Sequence, residues 1–270
     1  MSTSQRQVAQ FSPSLAATND HNRTLLEAAV EFAQWVNQHA PGATVMLCGG
    51  LAFTQYGSQR TTKDVDLCMD LRNAVRHDNQ TRRVDVNALK SMASTDSRLI
   101  VGPKIFWKHS TTGTYVQVDF IDANLFYAPF DYRRMVDSSI AIPSLNLPTL
   151  LVGKIRTALQ RNQSDTSERS HKHINDFTDF EFAVQQCVIR QIPLTMSHLG
   201  HLGTTIEDQV NMISDFTKLR LSYLQANLDM NALGWIPAWT QPLTRPIHCG
   251  RSGFYLMGSK LLQTSETWIL

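Results

Sequence analysis

One stretch of the sequence, from Ala43 to Met69, restricts the possible folds more than any other. It contains an apolar strand, a glycine pair, a short helix, a polar loop and a second apolar strand, written ATVMLC, GG, LAFTQY, SQRTTK and DVDLCM. Short runs of β-branched and apolar residues between turn residues predict strands, and Gly57 is typical of a helix end. The stretch therefore predicts a fold that mixes strands and helices.

The sequence on either side of this stretch predicts further helices and strands. Before it, apolar side chains recur at helical spacing over 24–40, and Thr24 with Glu27 fits a capping box. After it, VDVNALKSMAS predicts a helix, whereas RLIVG, KIFWKH and TYVQVDFID predict strands. Towards the C-terminus the pattern becomes mainly helical, with helices predicted over 148–161, 171–190 and 206–228.

We therefore predict an α+β fold, with a mixed β-sheet and flanking helices followed by a helical C-terminal lobe. The predicted divisions are a flexible N-terminal tail (residues 1–22), a mixed core (23–145), a helical lobe (146–235) and an extension of unassigned structure (236–270). The tail prediction rests on its Ser, Gln, Thr and Asn content. Trp235 and Trp239 are predicted to be packing residues.

Composition narrows the class of protein. The 270 residues carry a net charge of only +2, so no overall field attracts nucleic acid or an anionic membrane. No apolar run approaches the roughly 18 residues that span a bilayer, and the N-terminus lacks the apolar region of a secretory signal. The cysteines form no CxxC pair, which is typical of reduced thiols. We predict an intracellular, cytoplasmic protein with no membrane partner.

Three carboxylates in the predicted strands are candidate metal ligands. Side chains alternate across a strand, so Asp64 and Asp66 face the same way and repel each other. Carboxylates bind Mg²⁺, and a pair at this spacing can share two ions in phosphoryl transfer. In TYVQVDFID, Asp119 lies on the face opposite Val118, which must pack on the core. By the same alternation, Asp122 falls on the face that packs on the core. Asp119 is therefore the better third ligand or general base.

Gly49 and Gly50 predict a phosphate site next to these acids. Glycine has no Cβ and lets the backbone approach a ligand closely, and the N–H groups of a following helix can point at a phosphate. Taken alone, a glycine pair is most often a turn, and an Asp-x-Asp pair is most often surface charge. Their joint order, with a third acid in a later strand, favours nucleotide transfer.

The same stretch resembles the signature of the DNA polymerase β-like nucleotidyltransferase superfamily. LCGGLAFTQYGSQRTTKDVDLCMD has the family's apolar residue, Gly-Gly, spacer and Asp-apolar-Asp-apolar run. YGSQRTTKDVDL is similar to the AbiEii-like branch, which includes the MenT-type nucleotidyltransferase toxins. LPTLLVGKIRTALQR and KHINDFTDF resemble later motifs of that branch. The resemblance covers residues 44–185 and implies a nucleotidyltransferase-type core.

The resemblance implies a role for each matching residue. Asp64 and Asp66 would hold Mg²⁺ or Mn²⁺, Asp119 would complete the acidic triad, and Gly49 and Gly50 would face the triphosphate of an NTP. The later motifs imply a phosphate-binding lysine, an arginine on the same helical face, and a basic residue followed by two acids at the mouth of a cleft between lobes. In the same order, the lysine is Lys154, the arginine is Arg161, the basic residue is Lys172 and the two acids are Asp176 and Asp179.

Several of these charged residues also have a simpler interpretation. Lys154 could be a surface cation, and Asp176 and Asp179 could favour the first turns of a helix through its dipole. Arg60 and Lys63 flank the acids and could contact phosphate, or could be solvated loop charges. These alternatives remain open at the level of the sequence.

The function predicted from these features is Mg²⁺-dependent transfer of NMP from an NTP to an acceptor hydroxyl, by a two-metal mechanism. The acceptor could be RNA such as a tRNA end, a protein hydroxyl or a small alcohol, and the sequence indicates no oligomeric state. A second hypothesis is an NTP-binding or regulatory protein that kept the fold and lost the reaction. A third is a toxin with the same chemistry and a growth-arresting role.

Overall fold

The computed structural model describes residues 19–75, 83–140, 142–162, 169–227, 253–257 and 260–264. The chain divides into two compact units, residues 1–146 and 147–270. The described part of the first unit contains a mixed β-sheet with helices, and that of the second is mainly helical. The predicted α+β class is therefore confirmed. Most of the predicted tail lies outside the described residues, as do Trp235, Trp239 and Cys249.

Helix α1, Asp20–His39, begins the described part of the first unit. The apolar face predicted for it is buried and consists of Leu25, Ala29, Phe32 and Val36. The Phe32 ring packs against Trp107 and Phe120 of the sheet, with ring centroids 5.7 and 5.9 Å away. This helix therefore covers one face of the sheet.

The start of α1 differs from the prediction. Its N-cap is Asn19, whose side chain accepts a hydrogen bond from the backbone N–H of Asn22. The predicted capping box at Thr24 is wrong, because the Thr24 hydroxyl donates to the Asp20 carbonyl inside the helix. Asparagine is a stronger N-cap than threonine, so the helix begins earlier. Residues 20–22, predicted as tail, belong to it.

The first unit contains a seven-stranded sheet in the order β3-β4-β5-β2-β1-β7-β6. Its strands are β1 Thr44–Leu47, β2 Val65–Asp70, β3 Leu99–Val101, β4 Ile105–Lys108, β5 Tyr115–Asp122, β6 Val136–Asp137 and β7 Ser144–Leu145. Strand β2 is central and pairs antiparallel with β1 and parallel with β5. The apolar runs that predict β1 to β5 are thus confirmed as strands.

Short helices connect these strands. They are α2 Gly49–Ala52, a 3₁₀ turn Phe53–Tyr56, α3 Val86–Ala93, α4 Ala123–Phe126 and α5 Tyr132–Met135. The helix predicted from residue 51 begins two residues earlier, and it ends as predicted at Gly57, which is left-handed with φ 99°. The glycine pair therefore forms the first turn of the helix directly after β1.

The second unit contains α6 Leu147–Asn162, α7 Arg169–Ile189, α8 Met196–Leu199 and α9 Ile206–Asn227, with an antiparallel hairpin of β8 Gly253–Met257 and β9 Lys260–Thr264. The three long helices are confirmed. The short helix α8 and the hairpin were not predicted. In the described part of the chain, no helix has the length and apolar character needed to cross a membrane.

The buried face of α7 matches only part of the face predicted from its apolar residues. Ile174, placed in the predicted stripe, is 40% exposed, whereas Asp176 and Asp179 are each only 1% exposed. Phe177 and Cys187 are buried as predicted. The face is rotated because charged side chains on α7 have buried partners on α6.

The described cysteines are Cys48, Cys68 and Cys187, and all three are buried free thiols. Burial raises the pKa of the Cys187 thiol to about 12, and burial together with the nearby Asp122 and Asp70 carboxylates raises the pKa of Cys68. A thiol with a raised pKa is poorly nucleophilic at neutral pH. These groups therefore act as core residues.

Candidate active site

The pairing of β2 with β5 brings the predicted acids together. These strands run parallel, and their register places Asp66 directly opposite Asp119. Strand β5 alternates as predicted, with Val116 and Val118 buried and Asp119 exposed. Asp64 lies just before β2, so the start of β2 brings Asp64 and Asp66 beside Asp119 in the middle of β5.

Asp64, Asp66 and Asp119 form a compact group of carboxylates. Each offers one oxygen, and these oxygens all lie within 4.8 Å of one another. Asp64 and Asp66 are half-buried, and Asp119 is exposed. Within the described residues this is the one group of three or more acidic, histidine or cysteine side chains with metal-site spacing. The hard oxygen donors fit Mg²⁺ or Mn²⁺.

Asp122, the alternative acid on β5, has a different role. Its side chain accepts a hydrogen bond from the backbone N–H of Asn124 and caps helix α4. This contact satisfies one of the free N–H groups at a helix start. The structure therefore keeps Asp122 apart from the carboxylate group formed by Asp119 with Asp64 and Asp66.

Gly49 leaves the space that the Asp66 carboxylate occupies. A Cβ built on Gly49 would stand 1.9 Å from Oδ2 of Asp66, and the residue has a φ of +59°. The backbone N–H of Cys48 also donates to the Asp66 carbonyl at 3.0 Å. Glycine is therefore needed at position 49 for two reasons. The backbone there is left-handed, and a candidate metal ligand, Asp66, approaches it too closely for a Cβ.

We expect Gly49→Ala to displace Asp66 and weaken divalent-ion binding. A left-handed backbone costs a non-glycine residue about 1–2 kcal/mol, and the new methyl group also collides with the carboxylate. Gly113→Ala is a matched control, since Gly113 has φ +69° and a Cβ there would meet no heavy atom of the described chain within 4 Å. Both variants should lose stability in urea titrations, but only Gly49→Ala should lose Mn²⁺ affinity. Equal Mn²⁺ affinity in the two would contradict this account.

Arg60 and Lys63 lie in the loop between the glycine turn and β2. A Cβ on Gly50 would stand 2.3 Å from Nη2 of Arg60, so the guanidinium packs against the bare backbone of the second glycine. Arg60 is half-buried and Lys63 is exposed. The Thr62 hydroxyl in the same loop donates to Oδ1 of Asp64 at 3.4 Å.

Two residues of α1 hold this loop, and sequence reasoning missed both. The Asn22 side chain donates to the Arg60 carbonyl at 2.9 Å and accepts from the Thr62 N–H at 3.2 Å. The His21 ring donates from Nε2 to the Thr62 carbonyl at 2.8 Å. Asn22 is fully buried. The one sequence signal for these two residues is Asn19, since an N-cap at that position places both of them in the helix.

We expect Asn22→Leu to lower the free energy of unfolding by about 2 kcal/mol or more, because it leaves the buried Thr62 N–H and the partly buried Arg60 carbonyl without this partner. Asn37→Leu is the control, since Asn37 is an exposed residue of the same helix and should change stability by less than about 0.5 kcal/mol. Urea unfolding of both variants gives the comparison. Equal stability would show that the Asn22 contacts do not hold the loop.

The later predicted residues form a buried ionic network within the second unit. The Lys154 ammonium lies 3.1 Å from Oδ1 of Asp176 and 2.7 Å from Oδ2 of Asp179. Arg161 approaches the other Asp176 oxygen at 2.8 Å. Lys154 is 9% exposed, so it is not the surface cation of the simpler interpretation. Lys172 is exposed.

Comparisons with known proteins add a fold-level likeness. No family model matches the sequence, and no curated protein matches it. The chain is similar to the crystal structure of an antigenic nucleotidyltransferase-like protein from Paracoccidioides brasiliensis, at 13% identity and a TM-score of 0.48, over 80% of this chain and 92% of that chain. At this identity and TM-score, the likeness assigns no activity to the chain. The functional assignment therefore rests on the site itself.

Proposed function

We propose that this protein is a divalent-metal-dependent nucleotidyltransferase, which moves NMP from an NTP to an acceptor hydroxyl and releases pyrophosphate. The observation that supports this most strongly is the convergence of Asp64, Asp66 and Asp119, with their oxygens within 4.8 Å of one another. The approach of Asp66 to Gly49 is a second, independent feature of the same site. The assignment to the AbiEii-like branch rests on the sequence resemblance and is part of the proposal.

The three carboxylates would hold Mg²⁺ or Mn²⁺. When bound, such ions lower the pKa of an attacking hydroxyl and neutralise charge on the transferred phosphoryl group. Three carboxylates this close repel one another, so the group is suited to a cation with a high positive charge. Asp119 is the most exposed of the three, and we assign it the contact nearest the acceptor hydroxyl.

The residues around the acids would bind the triphosphate. Arg60 packs on Gly50 and is held through its backbone by Asn22, so its guanidinium is positioned beside the glycine turn. A planar guanidinium can donate two parallel hydrogen bonds to a phosphate. Lys63 would add an exposed charge to the same loop. Phosphate contact by Lys154, nucleotide binding by Arg161 and a role for Asp176 or Asp179 at the mouth of a cleft remain predictions, as does the cytoplasmic location.

Transfer of a labelled nucleotide tests the proposal. The protein is incubated with each α-labelled NTP, Mg²⁺ and either total RNA or total protein, and labelled products are separated by size. The account predicts that at least one NTP labels one acceptor class and that Asp66→Ala abolishes the label. Metal-dependent NTP binding with no labelled product would instead assign the non-catalytic, NTP-binding alternative.

A further inference from the structure

Asp119 is linked to two polar residues that the proposed reaction does not yet use, to Gln117 directly and to Lys104 through Gln117. The Gln117 side chain, two residues earlier on β5, donates from Nε2 to Oδ2 of Asp119 at 2.7 Å. Oε1 of Gln117 accepts a hydrogen bond from the Lys104 ammonium at 2.9 Å. Lys104 lies in the turn before β4. Three side chains thus form a chain of hydrogen bonds on one face of the sheet.

The chemistry of the two end groups fixes the orientation of the middle one. An ionised carboxylate only accepts hydrogen bonds, and an ammonium only donates them. A glutamine between them satisfies both partners in a single orientation, with its NH₂ towards Asp119 and its oxygen towards Lys104. Lys104 therefore determines which end of the Gln117 amide faces the acid.

We infer that Lys104 and Gln117 position Asp119 for divalent-ion binding, an inference that rests on the proposed function of the acidic group. The Gln117 N–H engages one carboxylate oxygen of Asp119 and restricts rotation of the exposed side chain. A carboxylate has about four lone-pair sites, so Asp119 can accept this hydrogen bond and still bind a cation. Partners of this kind commonly tune metal affinity, because they orient the ligand without touching the ion.

A purely structural role is a poor explanation for this chain of hydrogen bonds. Lys104 and Asp119 are exposed, and Gln117 is half-buried. Exposed polar contacts contribute little to folding stability. The buried Val116 and Val118 on the opposite face already anchor β5. Loss of the Gln117 amide should therefore change metal binding with little change in stability.

The test measures Mn²⁺ binding to the full chain by EPR, which reports both affinity and the symmetry of the ion's ligands. Gln117→Met keeps the length of the side chain and removes both polar groups. We expect it to weaken Mn²⁺ binding about tenfold and alter the spectrum, with an unchanged unfolding midpoint. Lys108→Met is the control, because Lys108 is exposed on β4 and pairs opposite Tyr115 rather than Gln117.

A double-mutant cycle separates positioning from the field of the lysine charge. Removing any nearby positive charge should strengthen cation binding, so Lys104→Met has a field effect of opposite sign to its positioning effect. In the Gln117→Met background only the field effect remains. Lys104→Met therefore changes the Mn²⁺ affinity by one factor in the wild type and by another in Gln117→Met. We expect the factor in the wild type to be a few-fold lower.

Two results would overturn the inference, and they have different consequences for the proposed function. If Gln117→Met binds Mn²⁺ like the wild type while Asp66→Ala does not bind, the positioning role fails and the metal site stands. If the wild type and Asp66→Ala bind Mn²⁺ equally weakly, both the positioning role and the proposed function fail. Weaker binding in Gln117→Met, with coupling to Lys104, supports both.

Discussion

Asp66→Ala is expected to reduce kcat/KM for nucleotide transfer about a thousandfold or more, while the protein remains folded. Loss of a ligand should remove several kcal/mol of charge stabilisation in the transition state, and each 1.36 kcal/mol is about tenfold in rate. Strand β2 should persist in this variant, because Val65, Leu67, Cys68 and Met69 are buried around the replaced residue.

Asp122→Ala is the matched control for this experiment. Asp122 is an acid at the end of β5 and lies only three residues from Asp119, but it caps α4 instead of joining the acidic group. Its replacement should cost about 1 kcal/mol of stability and leave transfer largely intact. Transfer and circular dichroism are measured on both variants. Unimpaired transfer in Asp66→Ala would refute the role assigned to the acidic group.

Lys154→Met is expected to have the largest effect on stability. It leaves Asp176 and Asp179, both buried, without the ammonium that each of them contacts. Breaking a buried ion pair by removing one partner costs about 3–5 kcal/mol, because a buried charge loses a partner of opposite sign. We therefore expect a large fall in the urea midpoint of the transition that reports on the second unit.

Two further variants make the Lys154 experiment specific. Lys218→Met removes a lysine whose ion pair with Asp215 is exposed, and it should cost less than about 1 kcal/mol. Adding Asp179→Asn to Lys154→Met should recover part of the lost stability, because it removes one of the two buried charges that the ammonium contacts. If Lys154→Met is as stable as Lys218→Met but raises the KM for NTP, the phosphate-contact role predicted from the sequence holds instead.

The orientation of the three acidic side chains was predictable, because it depends only on residues next to them in the sequence. Alternation in TYVQVDFID, and of Asp64 and Asp66 with the apolar Val65 and Leu67, determines which way each side chain points. Their convergence was not predictable from these rules alone. It depends on parallel pairing of β2 with β5 in a register that sets Asp66 opposite Asp119, and strands distant in sequence carry no local signal of their partner or register.

The parts that sequence reasoning missed depend on polar contacts between distant residues. Asn22 has an ordinary side chain for a helix or a tail, and only its hydrogen bonds to the loop at Arg60 and Thr62 reveal its function. On α7, apolar periodicity favoured Ile174 for the buried face. Burial of Asp176 and Asp179 against Lys154 reverses that choice, because compensated charges can occupy a core position that periodicity assigns to apolar residues.

The most direct test of the central claim is anomalous diffraction from crystals of the full chain grown with Mn²⁺. The account predicts an anomalous peak within direct coordination distance of Asp64, Asp66 and Asp119, and no such peak in crystals of Asp66→Ala. An anomalous map with no peak at these carboxylates, or with Mn²⁺ held elsewhere on the protein, would contradict it.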